Sequence, residues 1–230
     1  ALAPTVTAID VTPDLALANR ISVTMTFSEP IFQIDLNRIL LAGTSTTWTP
    51  TRPAVSTYPI SSYTFTVTSS ALVDGTLLIT AASNVITDAA GNKNTQDGAL
   101  SEVVNTTTKP SVTMFAPRAA RFSGATQTFD LVFNRAVFGL AAGDITFVSN
   151  AGCSTTPVVA GSGFAYTVTV NSCTTSGDVR LRLGLNTVKD KVAIDGPPAA
   201  FDSAIATRDI VGPTVTAISD VVRGNSVDYT

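Results

Sequence analysis

Two cysteines, one loop rich in Asp and Asn, and a single tryptophan are the residues of this chain whose types and spacing could do chemistry. Cys153 and Cys173 flank the segment "STTPVVAGSGFAYTVTVNS". If the chain turns at Ser162 and Gly163, the two cysteines face each other across an antiparallel hairpin. Opposed Cα atoms there lie about 4.5–5.5 Å apart, a spacing that a disulfide bridges. The bond would close a loop of about twenty residues, contribute on the order of 3 kcal/mol, and imply an oxidising compartment. The alternatives are two buried thiols or half of a zinc site. Zinc lacks partners here, because the chain has no His and no second cysteine pair.

The loop "DAAGNKNTQDG" offers Asp88, Asn92, Asn94 and Asp97, hard oxygen ligands of the kind Ca²⁺ prefers, at a spacing that is not that of an EF-hand. The bland reading is an Asx-rich turn in which Gly91 supplies a positive φ. Trp48, with Tyr58 and Tyr63 nearby in sequence, either covers one edge of a core or forms a contact patch for a glycan or protein. The absence of His removes the Ser-His-Asp and Cys-His nucleophile systems and the commonest general base. Paired carboxylates could serve a glycosidase only beside a cleft, and no aromatic-rich stretch suggests a sugar platform. "GSG" at 161–163 is a hairpin turn without the context of a phosphate loop. A non-enzyme that requires no cofactor is expected, with a structural Ca²⁺ site as the one candidate. A net charge of −3 from 17 acidic and 14 basic residues provides no footprint for nucleic acid or an anionic membrane surface.

The elements that must position these residues are strands. Of the 230 residues 44% are hydrophobic and 13% charged, and mean hydropathy is +0.31. No apolar run approaches the roughly 18–20 residues of a spanning helix, so membrane insertion is not expected. Thr and Ser interrupt the apolar residues with period two. Ile21, Val23, Met25 and Phe27 alternate with Ser22, Thr24, Thr26 and Ser28; Phe129, Leu131 and Phe133 repeat the pattern; Val179, Leu181, Leu183 and Leu185 alternate with Arg180 and Arg182. Strands of this kind, punctuated by Gly, Pro, Asn and Asp, predict an all-β chain of two-sheet antiparallel sandwiches.

The chain also repeats itself. "PTVTAI" at 4–9 recurs at 213–218, with "PSVTMF" at 110–115 between, a period of about a hundred residues. "VTMTFSEPI" answers to "FDLVFNRAV", "YTFTVTSS" to "YTVTVNSC", and "GTLLITAASNVITD" to "GDVRLRLGLNTVKD". The expected division is 1–109, 110–212, and 213–230 as the opening of a third unit. Pro-ended junctions without a Gly/Ser run predict stiff connections and an elongated rod whose stability is nearly a sum of independent units. In this alignment Ser70 stands where Cys173 stands, so the disulfide is local to the second unit. Glu29 matches Arg135 and Asp88 matches Asp190. Two carboxylates in the first unit would thus stand where an ion pair stands in the second, which adds Glu29 to the calcium candidates.

The blocks "PTVT", "VTMTFSEPI", "YTFTVT" and "NVITDAAGN", in this order, resemble the bacterial immunoglobulin-like repeats of large cell-surface and secreted adhesins. The second unit follows the pattern more loosely, with "FNRA" for "FSEP" and "DKVAI" for "DAAGN". The resemblance implies two tandem immunoglobulin-like β-sandwiches and the first strand of a third. It also implies an extracellular setting, on a bacterial surface or secreted, and a role as a stalk or spacer holding an adhesive tip away from the cell. The implied partners are neighbouring repeats of the same protein, with a host or surface glycan or protein as a further one. Two alternatives stand beside it: a fibre subunit joined by strand addition through 213–230, and a glycan- or protein-binding module using Trp48 and Tyr58.

Overall fold

The computed structural model describes residues 2–17, 19–44 and 48–216, together with the backbone of strands Asp220–Arg223 and Ser226–Tyr229. In its first unit the principal strands are, in chain order, Val6–Pro13, Arg20–Ile31, Ile39–Gly43, Trp48–Thr51, Ile60–Ser69, Gly75–Ala81 and Gly98–Val104. The first, second, fifth and fourth form one antiparallel sheet, and the third, sixth and seventh form the other. This is the strand order of an immunoglobulin constant-type sandwich.

The second unit repeats the plan. Val112–Pro117, Gln127–Val137 and Val158–Val170 make one sheet; Ile145–Ser149, Gly177–Leu183 and Ala206–Arg208 make the other, with Phe201–Asp202 also paired to Gly177–Leu183. Arg121–Phe122 adds to Ala206–Arg208 in parallel. Within Val158–Val170 the chain folds back at Gly161 and Gly163, which have φ of +114° and +64°. A Cβ at Gly161 would lie 2.5 Å from the Ala165 carbonyl oxygen, so only glycine allows the two arms to approach. This is the hairpin turn expected from the sequence.

The period-two pattern becomes one buried face per strand. Ile21, Val23, Met25 and Phe27 enter the first core with Phe65, Leu77 and Ile79; Phe129, Leu131, Phe133, Val179, Leu181 and Leu183 enter the second. On the outer face, threonines from neighbouring strands pair across the sheets, Thr24 with Thr64 at 3.0 Å and Thr128 with Thr169 at 3.1 Å. Leu185 corrects the expectation: it is exposed, because the strand ends at Leu183 and the chain turns at Asn186, whose φ is +53°. No described helix is long and apolar enough to cross a membrane.

Residues 209–216 are outside any strand, and 211–216 are exposed, unlike the matching strand Val6–Pro13. Ile218, the end of the repeated "PTVTAI", lies outside the described residues. Beyond it, Asp220–Arg223 and Ser226–Tyr229 pair with each other antiparallel. The independence of the units is also corrected. Val192, Ala193 and Ile194, which belong to the second unit in sequence, are buried in the first unit's core.

Candidate functional site

Cys153 and Cys173 are bonded, and both are buried in the second core. The backbone places them: Ser154 donates to the Asn171 carbonyl at 2.8 Å across the arms, and Cys173 donates to the Ala125 carbonyl at 2.9 Å. Asn150 clasps the first cysteine, its Oδ1 accepting from the Cys153 N–H and its Nδ2 donating to the Cys153 carbonyl. Cys153, Cys173 and Ala151 together cover one end of the second core.

Asp88 and Asp190, matched in the sequence, build the same local device. Asp88 Oδ1 accepts from the Ala90 and Asn92 N–H groups, both at 2.8 Å; Asp190 Oδ1 accepts from Val192 at 3.1 Å and Ile194 at 3.0 Å. In both units the carboxylate thus organises a tight loop from its first residue. The second oxygen differs. Asp190 Oδ2 meets Arg135 Nη1 at 3.0 Å, the ion pair expected from the alignment, whereas Asp88 Oδ2 accepts from Asn92 Nδ2 at 2.8 Å. Asn92 therefore does for the first unit what Arg135 does for the second.

Of the calcium candidates, the structure joins only Asp88 and Asn92, and joins them as acceptor and donor. Asn94 is fully buried. Its Oδ1 accepts from the Ile86 N–H at 3.0 Å, and its Nδ2 donates to the Ala82 and Gln96 carbonyls at 3.1 and 2.9 Å. Asp97 accepts from the Ser83 N–H. Glu29 is half-buried and makes no side-chain hydrogen bond or ion pair among the described residues. The Asx residues are hence committed to fixing the loop, as the bland reading has it. Since the Asp88 oxygens already hold their donors, adding Ca²⁺ is expected to leave the melting temperature of the chelator-treated protein unchanged. A calcium-dependent rise in a thermal scan would contradict this.

Trp48 and Tyr58 do not form a joint contact patch. Trp48 is 7% exposed, paired in register with Ser69, and its Nε1 has no hydrogen-bond partner among the described residues. Tyr58 accepts through its hydroxyl from the Ile34 N–H at 3.3 Å, and Ile34 pairs with Ile86 at the opposite end of the unit. The tryptophan serves the core because its strand alternation turns it inward.

Four carboxyls are held below the ordinary aspartate range by donors around them. Asn92 acts first on Asp88, the Ala16 and Leu17 N–H groups on Asp14, Thr106 on Asp74, and Arg182 on Asp202. The unfolded chain takes up these protons first, near pH 3.9, so their contribution is complete above that value and is lost as pH falls through the lower folded values. Stability is accordingly expected to stay level with respect to these groups down to about pH 4, then to fall, by a modest amount for carboxyls screened by solvent. Denaturant midpoints measured from pH 6 to pH 2.5 would check it; a midpoint that stays flat to pH 2.5 would contradict it.

A site that sequence reasoning missed is the junction. Val192, Ala193 and Ile194 pack into the first core while Lys191 Nζ bonds Glu102 Oε1 at 2.6 Å. At Gly139 an added Cβ would lie 3.0 Å from Leu15 Cδ2, so the first unit's hairpin tip rests against the second unit's backbone. The signal was an apolar "KVAI" at the position of the polar "AAGN".

The strand order, the two cores and the disulfide define an all-β protein of immunoglobulin-like sandwiches. No protein-family model matches the chain, and no curated protein matches it. Among solved structures it is similar to the D00-D0 domain of Intimin, with 10% identity over 90% of this chain and 98% of that one. The TM-score is 0.29, too low for the likeness to carry an argument.

Proposed function

We propose that the chain is a non-enzymatic spacer segment of a bacterial extracellular surface adhesin, its sandwiches holding an adhesive part away from the cell. The observation that supports this best is the junction. A spacer must resist bending, and here one unit's loop is packed in the other's core, with an ion pair and a hairpin contact beside it. The disulfide fits an oxidising compartment. Neighbouring immunoglobulin-like units are the proposed partners. Small-angle scattering of the whole chain tests the reading. An elongated monomer whose profile is independent of concentration is the expected result, and a compact or freely bending pair of units would count against it. Concentration-dependent growth into large particles would favour the fibre alternative instead.

A further inference from the structure

Two facing sheets leave a core open at its ends unless loops or side chains cover it. The second unit covers one end with its own disulfide, and among the described residues its core contains none from the first unit. The first unit has Ser70 in place of Cys173. Its corresponding end, marked by the paired rows Pro13 with Ile21, Trp48 with Ser69 and Gly75 with Val104, is the end from which the chain runs on into the second unit. Val192, Ala193 and Ile194 are buried in that first core and form no part of the second.

We infer that the loop 190–194 of the second unit is the closing piece of the first unit's core, so that the first unit reaches full stability only with the second docked. The second core, among the described residues, is built from the second unit alone. The loop is prearranged for this. Asp190 holds it through the Val192 and Ile194 N–H groups and is itself held by Arg135; the Asp190 N–H donates back to the Ile194 carbonyl, and the Ala193 N–H to the Asp190 carbonyl, both at 3.0 Å. The matching loop 88–92 has the same carboxylate scaffold with an exposed Ala90 and a half-buried Asn92 where Val192 and Ile194 are buried. The scaffold is common to both units and the apolar residues on it belong to this junction. Ala193 adds an independent sign. Its φ is +67°, where the matching Gly91 has +85° without strain, and its methyl is buried in the first core. A side chain kept at a left-handed position against its steric cost is explained by what that methyl fills.

The coupling of the two units through this loop is the test. In full-length Ile194→Asp, amide hydrogen exchange read by mass spectrometry is expected to accelerate at least tenfold in strands Arg20–Ile31, Ile60–Ser69 and Gly75–Ala81, although the substituted residue belongs to the second unit. Strands Gln127–Val137 and Gly177–Leu183 accelerate as well to the extent that their opening breaks the same contact. Val192→Ala, which removes methyl groups without adding charge, gives the same change in the first unit at smaller size and keeps the test readable if the first variant fails to fold. Unchanged exchange in the first unit, with any acceleration confined to the second, would overturn the inference.

Discussion

Replacing both cysteines, Cys153→Ala with Cys173→Ala, is expected to lower the stability of the second unit by about 3 kcal/mol and to leave the first unit's own strands almost untouched for as long as the second unit stays folded and docked. The bond closes a loop with a sequence separation of 20, and the loop-entropy argument assigns a few kcal/mol to that constraint. Both residues are buried, so the alanine pair also leaves an incompletely filled space at the end of the core. For a unit of about a hundred residues this corresponds to a fall of roughly 12–24 °C in the transition that reports the second unit. Differential scanning calorimetry with and without a thiol reductant measures it, and reduction of the native chain should reproduce the double variant. A transition within a few degrees of the native one would mean that the surrounding hydrogen bonds of Asn150 and Ala125 hold this end by themselves.

The second large effect is expected from Asp190→Ala, at about 3 kcal/mol. Asp190 is 3% exposed, and its carboxylate satisfies three groups at once: the Val192 N–H, the Ile194 N–H and the Arg135 guanidinium. Its removal leaves a partly buried cation and two loop N–H groups unpaired, which is the costly way to break such a pair. Because the same loop closes the first core, the variant should weaken both units, unlike the cysteine pair. Asp190→Asn retains an oxygen for the loop N–H groups but loses the charge opposite Arg135, and should fall between native and alanine. Urea titration followed by tryptophan emission reports the first unit, which contains Trp48, and far-ultraviolet circular dichroism reports the whole chain. An alanine variant with both midpoints unmoved would mean that the loop keeps its shape, and the first core its cover, without the Asp190 carboxylate.

Much of this architecture was legible in residues. Period two in "ISVTMTF" and "FDLVF" determined which side chains enter the cores, because successive Cβ atoms on a strand point to opposite faces. Glycines around Ser162 determined a turn, and the turn determined that Cys153 meets Cys173. The alignment of the two units by itself paired Arg135 with Asp190.

What the tertiary structure alone decided concerns contacts between elements far apart in sequence. Asp88, Asn92 and Asn94 look like oxygen ligands in a string of letters. Only their partners show that Asn94 pins two carbonyls and that Asn92 serves as a donor to Asp88. Trp48 and Tyr58 are near in sequence yet stand at opposite ends of a sandwich, since an extended strand carries the chain about 3.3 Å per residue. Above all, the burial of Val192, Ala193 and Ile194 depends on how the second unit meets the first. Sequence periodicity reports the face a strand turns towards the opposing sheet of its own unit. A short loop has no such period, so its destination is set by the shape and apolar surface of whatever core it reaches.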